Sequence, residues 1–175
     1  RSLGAALYLP EERQITTTDQ ILDEMCATLG GRAAEQVVFG KISTGALSDL
    51  EKVTKQGYAM VSIYGLNERI GNRSYYDSSG ESGFTKPYSD ETARIIDEEV
   101  SIIIEKSYAR AIELIAAHRN QLDELAALLL EKEVIFKEDL ERILGLRPYI
   151  DRQSQIDQAE KDAGLKIEAV TNIAE

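Results

Sequence analysis

Apolar positions along the chain change their period near residue 16. Before that point Leu3-Gly-Ala-Ala-Leu-Tyr-Leu9 is a short apolar run closed by Pro10, which predicts one edge strand over residues 1–10 and then a turn. After it the spacing is that of helices. Ile21, Leu22, Met25 and Leu29 recur every three or four residues, predicting a helix from Asp19 to Leu29 that Thr16, Thr17 or Thr18 caps and Gly30-Gly31 ends. Ala33, Ala34, Val37 and Val38 form the small-residue face of a second helix, Arg32 to Phe39, which stops at Gly40. Ser43-Thr-Gly-Ala-Leu-Ser-Asp49 has the composition of a helix start. Leu50, Val53, Gly57, Met60, Val61 and Tyr64 carry that third helix to Gly65.

Between Asn67 and Pro87 the periodicity lapses into Asn, Ser, Gly and Tyr, which predicts a mobile loop. Ser89-Asp-Glu-Thr92 then reads as a helix N-terminus with acids in the first turn, as the helix dipole favours. Ile95, Ile96, Val100, Ile103, Ile104, Tyr108, Ala111, Ile112 and Ile115 extend this longest helix to His118. Leu122, Leu125, Leu128 and Leu129 mark another helix, and Val134-Ile-Phe136-Lys-Glu-Asp-Leu140 opens a last one that ends near Gly145 and Pro148. In residues 149–175 the apolar positions Ile156, Ala159, Ala163, Ile167 and Val170 are too sparse to demand burial, so a loosely packed polar tail is expected. The predicted fold is mainly α: a helical bundle with one short N-terminal edge strand. Its domain covers residues 1–148, with the strand at 1–10, helices at 16–65, the loop at 67–87 and C-terminal helices at 89–148.

Composition narrows the function. The 175 residues are 43% hydrophobic and 29% charged, enough for one soluble domain with a core. A net charge of -11 argues against nucleic acid as a partner, because binding phosphates needs clustered Lys and Arg. One cysteine, Cys26, allows neither an intrachain disulfide nor a cysteine metal cluster, which fits a reducing compartment. No apolar run reaches the roughly 18 residues of a spanning helix. There is no basic-then-apolar leader and the first residue is Arg1, so the natural protein is expected to begin upstream.

Candidate chemistry is sparse. The one histidine, His118, falls at the end of the longest helix, where it is expected to meet the dipole or solvent rather than a metal. Cys26 sits in the apolar stretch Met25-Cys26-Ala27 as a small buried thiol with no histidine near it in sequence. A catalytic zinc takes three protein ligands as a rule, so a self-contained zinc site is not expected. Two carboxylates stand out from the many on solvated faces: Glu35, inside the small-residue helix, and Asp49, at the head of the third helix. From periodicity alone the favoured reading of Glu35 is an exposed helix residue and that of Asp49 a first-turn acid that complements the dipole. Gly30-Gly31 lacks the preceding strand and the following Gly-Lys-Ser/Thr of a phosphate loop, so tight helix packing is its expected role.

Taken together, Leu29-Gly-Gly-Arg-Ala-Ala-Glu35, Val38-Phe39-Gly40, Ser43-Thr-Gly-Ala46, Asp49-Leu50 and Thr54 resemble the signature of the FtsH family of AAA+ zinc proteases. Arg1-Ser-Leu-Gly4 to Leu9-Pro10 and Tyr64-Gly65 keep that family's order, and the likeness covers about residues 1 to 148. The resemblance implies the C-terminal part of a peptidase domain. In the family, a membrane-anchored chain carries an ATPase module that uses ATP and Mg2+, followed by the peptidase. Six copies form a homo-hexameric ring that degrades unfolded or membrane proteins at the cytoplasmic face of the bacterial inner membrane. Zinc (Zn2+) is held there by two histidines of a His-Glu-x-x-His helix whose glutamate is the base. That motif does not occur in these residues, since His118 is the one histidine.

The resemblance makes Asp49 the third zinc ligand and gives Glu35 a supporting place beside the metal site. Leu3, Gly4, Ala5, Ala6 and Leu7 resemble the strand edge along which substrate backbone pairs. Ser48 stands where the family usually has Asn, Gln36 where a second Glu is common, and Asn72 where Pro often follows. The resemblance further implies that the isolated chain is inactive. The competing reading is an acidic helical adaptor or oligomerisation domain with no zinc and no catalysis.

Overall fold

The computed structural model describes residues 15–76 and 87–146. The fold is mainly α, and among the described residues there is no strand; the predicted edge strand at Leu3 to Pro10 and the tail at 149–175 lie outside them. The chain divides into two compact units, residues 1–119 and 120–175, each considered by itself.

The first unit begins with α1 (Thr18–Thr28). Of the three candidate threonines, Thr17 is its cap: the Gln20 N–H donates to Thr17 Oγ1 at 3.4 Å and the Thr17 N–H donates to Gln20 Oε1 at 2.9 Å, so two orphan donors are satisfied reciprocally. A single residue, Leu29, separates α1 from α2 (Gly30–Phe39). The glycine pair therefore forms the first turn of α2 instead of a linker. It does not mediate tight packing either, since a Cβ at Gly30 or Gly31 would meet nothing within 4 Å. The structure offers no steric reason for glycine there. Gly40 closes α2 in the left-handed conformation at φ 64°, its N–H on the Gln36 carbonyl.

The predicted third helix is one continuous segment with two irregular ends. A 3-10 turn (Thr44–Ala46) leads into α3 (Leu47–Tyr58), and a π-turn (Ala59–Ile63) follows, in which the Tyr64 N–H reaches back five residues to the Ala59 carbonyl at 2.9 Å. Beyond it the chain is less loose than its composition suggested. Ile70 is buried, the Tyr75 N–H donates to the Ser62 carbonyl, and Asn67 Oδ1 accepts from the N–H groups of Arg69 and Ile70. Asn67 Nδ2 and Arg69 Nη1 both donate to Glu99, at 2.7 and 2.8 Å. These donors, the Asn67 amide first and then the Arg69 guanidinium, pull the Glu99 carboxyl below its usual range. Asn67, Arg69 and Ile70 are thus tied to the next helix, and 77–86 lie outside the described residues.

That helix, α4 (Asp90–Ala117), starts at the Ser89 cap, whose Oγ accepts the Thr92 N–H, and its 28 residues span about 42 Å. It is the axis on which α1, α2 and α3 pack. Two apolar clusters lie along it. Ile21, Met25, Cys26, Leu29, Ala33, Val53, Met60 and Ala111 form one, and Val61, Ile70, Ile96 and Val100 form the other. At Gly57 the helices approach so closely that a Cβ would stand 3.1 Å from Val100 Cγ1.

In the second unit α5 (Arg119–Lys132) precedes α6 (Lys137–Leu144). The last helix starts later than predicted: Phe136 is extended, at φ -115° and ψ 175°, and its N–H donates to Asp139 Oδ2. The acid three residues into the pattern sets the start, not the apolar residues ahead of it. Lys132–Asp139 and Arg142–Glu124 pairs tie the two helices together.

Candidate functional site

The two carboxylates singled out in the sequence sit on either side of one turn. Glu35 lies on α2, half-buried, with Ala33 two residues before it fixed in the core. Gly40 then reverses the chain, and residue 43 returns to Glu35. The Ser43 N–H donates to Glu35 Oε2 at 2.8 Å and the Ser43 hydroxyl donates to Oε1 at 2.6 Å. The same Ser43 Oγ accepts the Gly45 N–H at 3.1 Å, which caps the 3-10 turn. Both oxygens of Glu35 are therefore engaged by one residue. This pair of donors, the hydroxyl before the amide, holds the Glu35 carboxyl below its usual range, with a smaller push in the same direction from Arg32. Arg32 itself lies 5.9 Å from the ring centre of Tyr108 on α4.

Asp49 is in the first turn of α3, three residues after the buried Ala46, and is half-buried. Among the described residues it makes no hydrogen bond or ion pair. The contrast is chemical: Glu35 has spent its acceptors within the chain, whereas Asp49 has two oxygens available to a ligand.

The remaining candidates fall elsewhere. His118 is the exposed residue that closes α4, its N–H on the Leu114 carbonyl. Cys26 is buried in the α1–α4 core; burial pushes its thiol up, Arg110 opposes this and Asp23 adds to it. Leu3, Gly4, Ala5, Ala6 and Leu7 lie outside the described residues. No three His, Cys, Asp or Glu side chains come together as a metal-binding group among the described residues. Sequence reasoning placed Ser43 in a helix start and in the family signature but missed its contact with Glu35; the available signal was a Ser eight residues after an acid, across a Gly40 turn.

The fold and these residues define a helical domain with no cluster of three metal-ligating side chains among the described residues. The family model of peptidase family M41 matches residues 1–143, and the chain belongs to that family, which comprises the FtsH-type peptidases. It is 54% identical over 167 residues, 95% of its length, to a protein of Parabacteroides distasonis named ATP-dependent zinc metalloprotease FtsH, of which it covers 24%. Similarity extends to Arabidopsis thaliana, with 48% identity to the mitochondrial ATP-dependent zinc metalloprotease FTSH 3 over 93% of this chain and 21% of the relative. It also reaches the mouse mitochondrial inner membrane m-AAA protease component AFG3L2, with 44% identity over 88% of this chain and 19% of that protein. The chain therefore spans less than a quarter of the length of these relatives.

Proposed function

We propose that this chain supplies the scaffold and the third zinc ligand of a membrane-anchored, ATP-dependent zinc metalloendopeptidase that degrades unfolded or membrane proteins. The observation that carries this reading is the difference between the two carboxylates. Asp49 projects from a helix start with no partner among the described residues, while Glu35 is fully occupied by Ser43. Glu35 is accordingly a support and not a ligand. When bound, zinc serves as a Lewis acid that makes water nucleophilic near neutral pH.

The two histidines and the glutamate base come, in this reading, from a part of the whole protein outside these 175 residues, as do the ATP and Mg2+ site and the membrane anchor. Asp49 binds and orients; Glu35 and Ser43 hold the turn from which it projects; α4 backs the helix that carries it. Leu3 to Leu7 take the substrate backbone. The active form is a homo-hexamer on the cytoplasmic face of the bacterial inner membrane, and the isolated chain hydrolyses nothing. The printed names of relatives, ATP-dependent zinc metalloprotease and mitochondrial inner membrane m-AAA protease component, support the zinc-protease and membrane parts of this reading.

Asp49→Ala in the whole protein tests the reading. It removes bound zinc and proteolysis and leaves ATP hydrolysis in place. Retained zinc and peptidase activity would refute the assignment of Asp49.

A further inference from the structure

We infer that Ser43 is a positioning residue for the metal site, acting through Glu35 to set where the Asp49 carboxylate stands. This rests on the reading of Asp49 as a zinc ligand. Asp49 has no tether of its own among the described residues, so its placement comes from the backbone that leads into α3. That backbone is fixed at one polar point. Ser43 engages both of its donors ahead of its carbonyl: its N–H and O–H grip the two oxygens of Glu35, and its Oγ takes the Gly45 N–H.

The clasp ties residue 43 to a point eight residues earlier on α2, across the link between α2 and the 3-10 turn, and α2 is anchored in the core through Ala33. Three residues later Ala46 is buried, so the turn is held at both ends before Asp49 is reached. Gly45 lies close to the clasp. A Cβ at Gly45 would stand 3.2 Å from Ser43 Oγ and 3.8 Å from Glu35 Oε1. A ligating side chain whose own partners are missing depends on such a support, because a metal ligand displaced by a fraction of an ångström loses bond strength that solvent does not restore.

Ser43 is exposed, so its loss has little leverage on global stability and its effects on stability and on the metal are separable. The test uses the whole protein with Ser43→Ala, Ser43→Thr and Asp49→Ala, and reads zinc retention by competition with a chelator, ATP hydrolysis and thermal midpoint. Ser43→Ala weakens zinc retention by about 10- to 100-fold, the usual cost of removing a group that supports a ligand, with ATP hydrolysis and midpoint close to wild type. Ser43→Thr, which keeps the hydroxyl, restores it to within a few-fold. In parallel, backbone exchange at Gly45 in the whole protein accelerates with Ser43→Ala and not with Ser43→Thr; no acceleration in Ser43→Ala overturns the clasp. Wild-type zinc retention in Ser43→Ala, with zinc lost in Asp49→Ala, overturns the positioning role and leaves Asp49 as ligand. Wild-type retention in Asp49→Ala overturns both.

Discussion

Gly57→Ala tests how closely α3, the helix that carries Asp49, is set against α4. Two effects oppose each other. Alanine is favoured over glycine inside a helix by about 1 kcal/mol, and Gly57 lies within α3. Against this, the new Cβ would stand 3.1 Å from Val100 Cγ1 and under 4 Å from two carbons of Ile104. Val100 is 4% exposed and β-branched, so in a helix it has essentially one rotamer and cannot swing aside. Overfilling a packed site of this kind costs about 1–3 kcal/mol. The contact wins, and the net loss is about 1 kcal/mol. Urea denaturation followed by far-UV circular dichroism reads this as a lower midpoint at unchanged slope. The sharper measurement is a double-mutant cycle. In a Val100→Ala background the obstructing methyl is gone, so Gly57→Ala becomes stabilising by up to about 1 kcal/mol from helix propensity alone. Equal stabilisation in both backgrounds would show that α3 and α4 are not in close approach at this point, and the reasoning would fail.

Acid should weaken the Glu35 clasp. The Glu35 carboxyl sits below its usual range when folded, so its contribution to stability is complete above the unfolded value of about 4.3 and is lost as pH falls through the lower folded value. The difference in urea midpoint between wild type and Glu35→Gln should therefore be constant above pH 5 and shrink below about pH 4; a difference independent of pH would contradict the ionised clasp. Glu51, Glu91, Glu99 and Asp139 are also shifted down, which is why the comparison with Glu35→Gln, not the wild-type curve alone, is the readout. For Cys26, burial and the raised thiol predict alkylation by iodoacetamide that is slow in the native chain at pH 7.5 and accelerates by orders of magnitude in denaturant. Rapid native labelling would mean that the α1–α4 core opens easily.

Much of the fold was legible in the sequence because apolar residues at helical spacing must find a common core. Ile21, Met25 and Leu29 announce α1, and the stripe from Ile96 to Ala111 announces α4; all five of these residues are buried. Capping chemistry placed the starts of α1 and α4 to within a residue. Where expectation and structure part, a long-range contact decided. Composition made 67–87 a loose loop, yet Ile70, Asn67 and Arg69 find partners on α4 some thirty residues away. Gly30-Gly31 looked like a break between helices and became the first turn of α2, since no residue beyond Leu29 was needed to redirect the chain. The predicted unbroken third helix carries a π-turn whose five-residue hydrogen bond no local pattern foretold.

The candidate site divides in the same way. Sequence by itself determined which residues could matter: one histidine at a helix end, one apolar cysteine, and two acids, Glu35 and Asp49, inside a distinctive run of Gly, Ala, Ser and Thr. The resemblance ranked Asp49 as ligand and Glu35 as support, whereas periodicity alone left each with an ordinary reading, an exposed helix residue and a first-turn acid. Tertiary structure decided their hydrogen-bond partners. The Gly40 turn brings Ser43 onto both oxygens of Glu35 and leaves Asp49 without a described partner. A carboxylate's availability depends on which donors the folded chain brings within hydrogen-bonding distance, and that is a property of three-dimensional proximity, not of residue type.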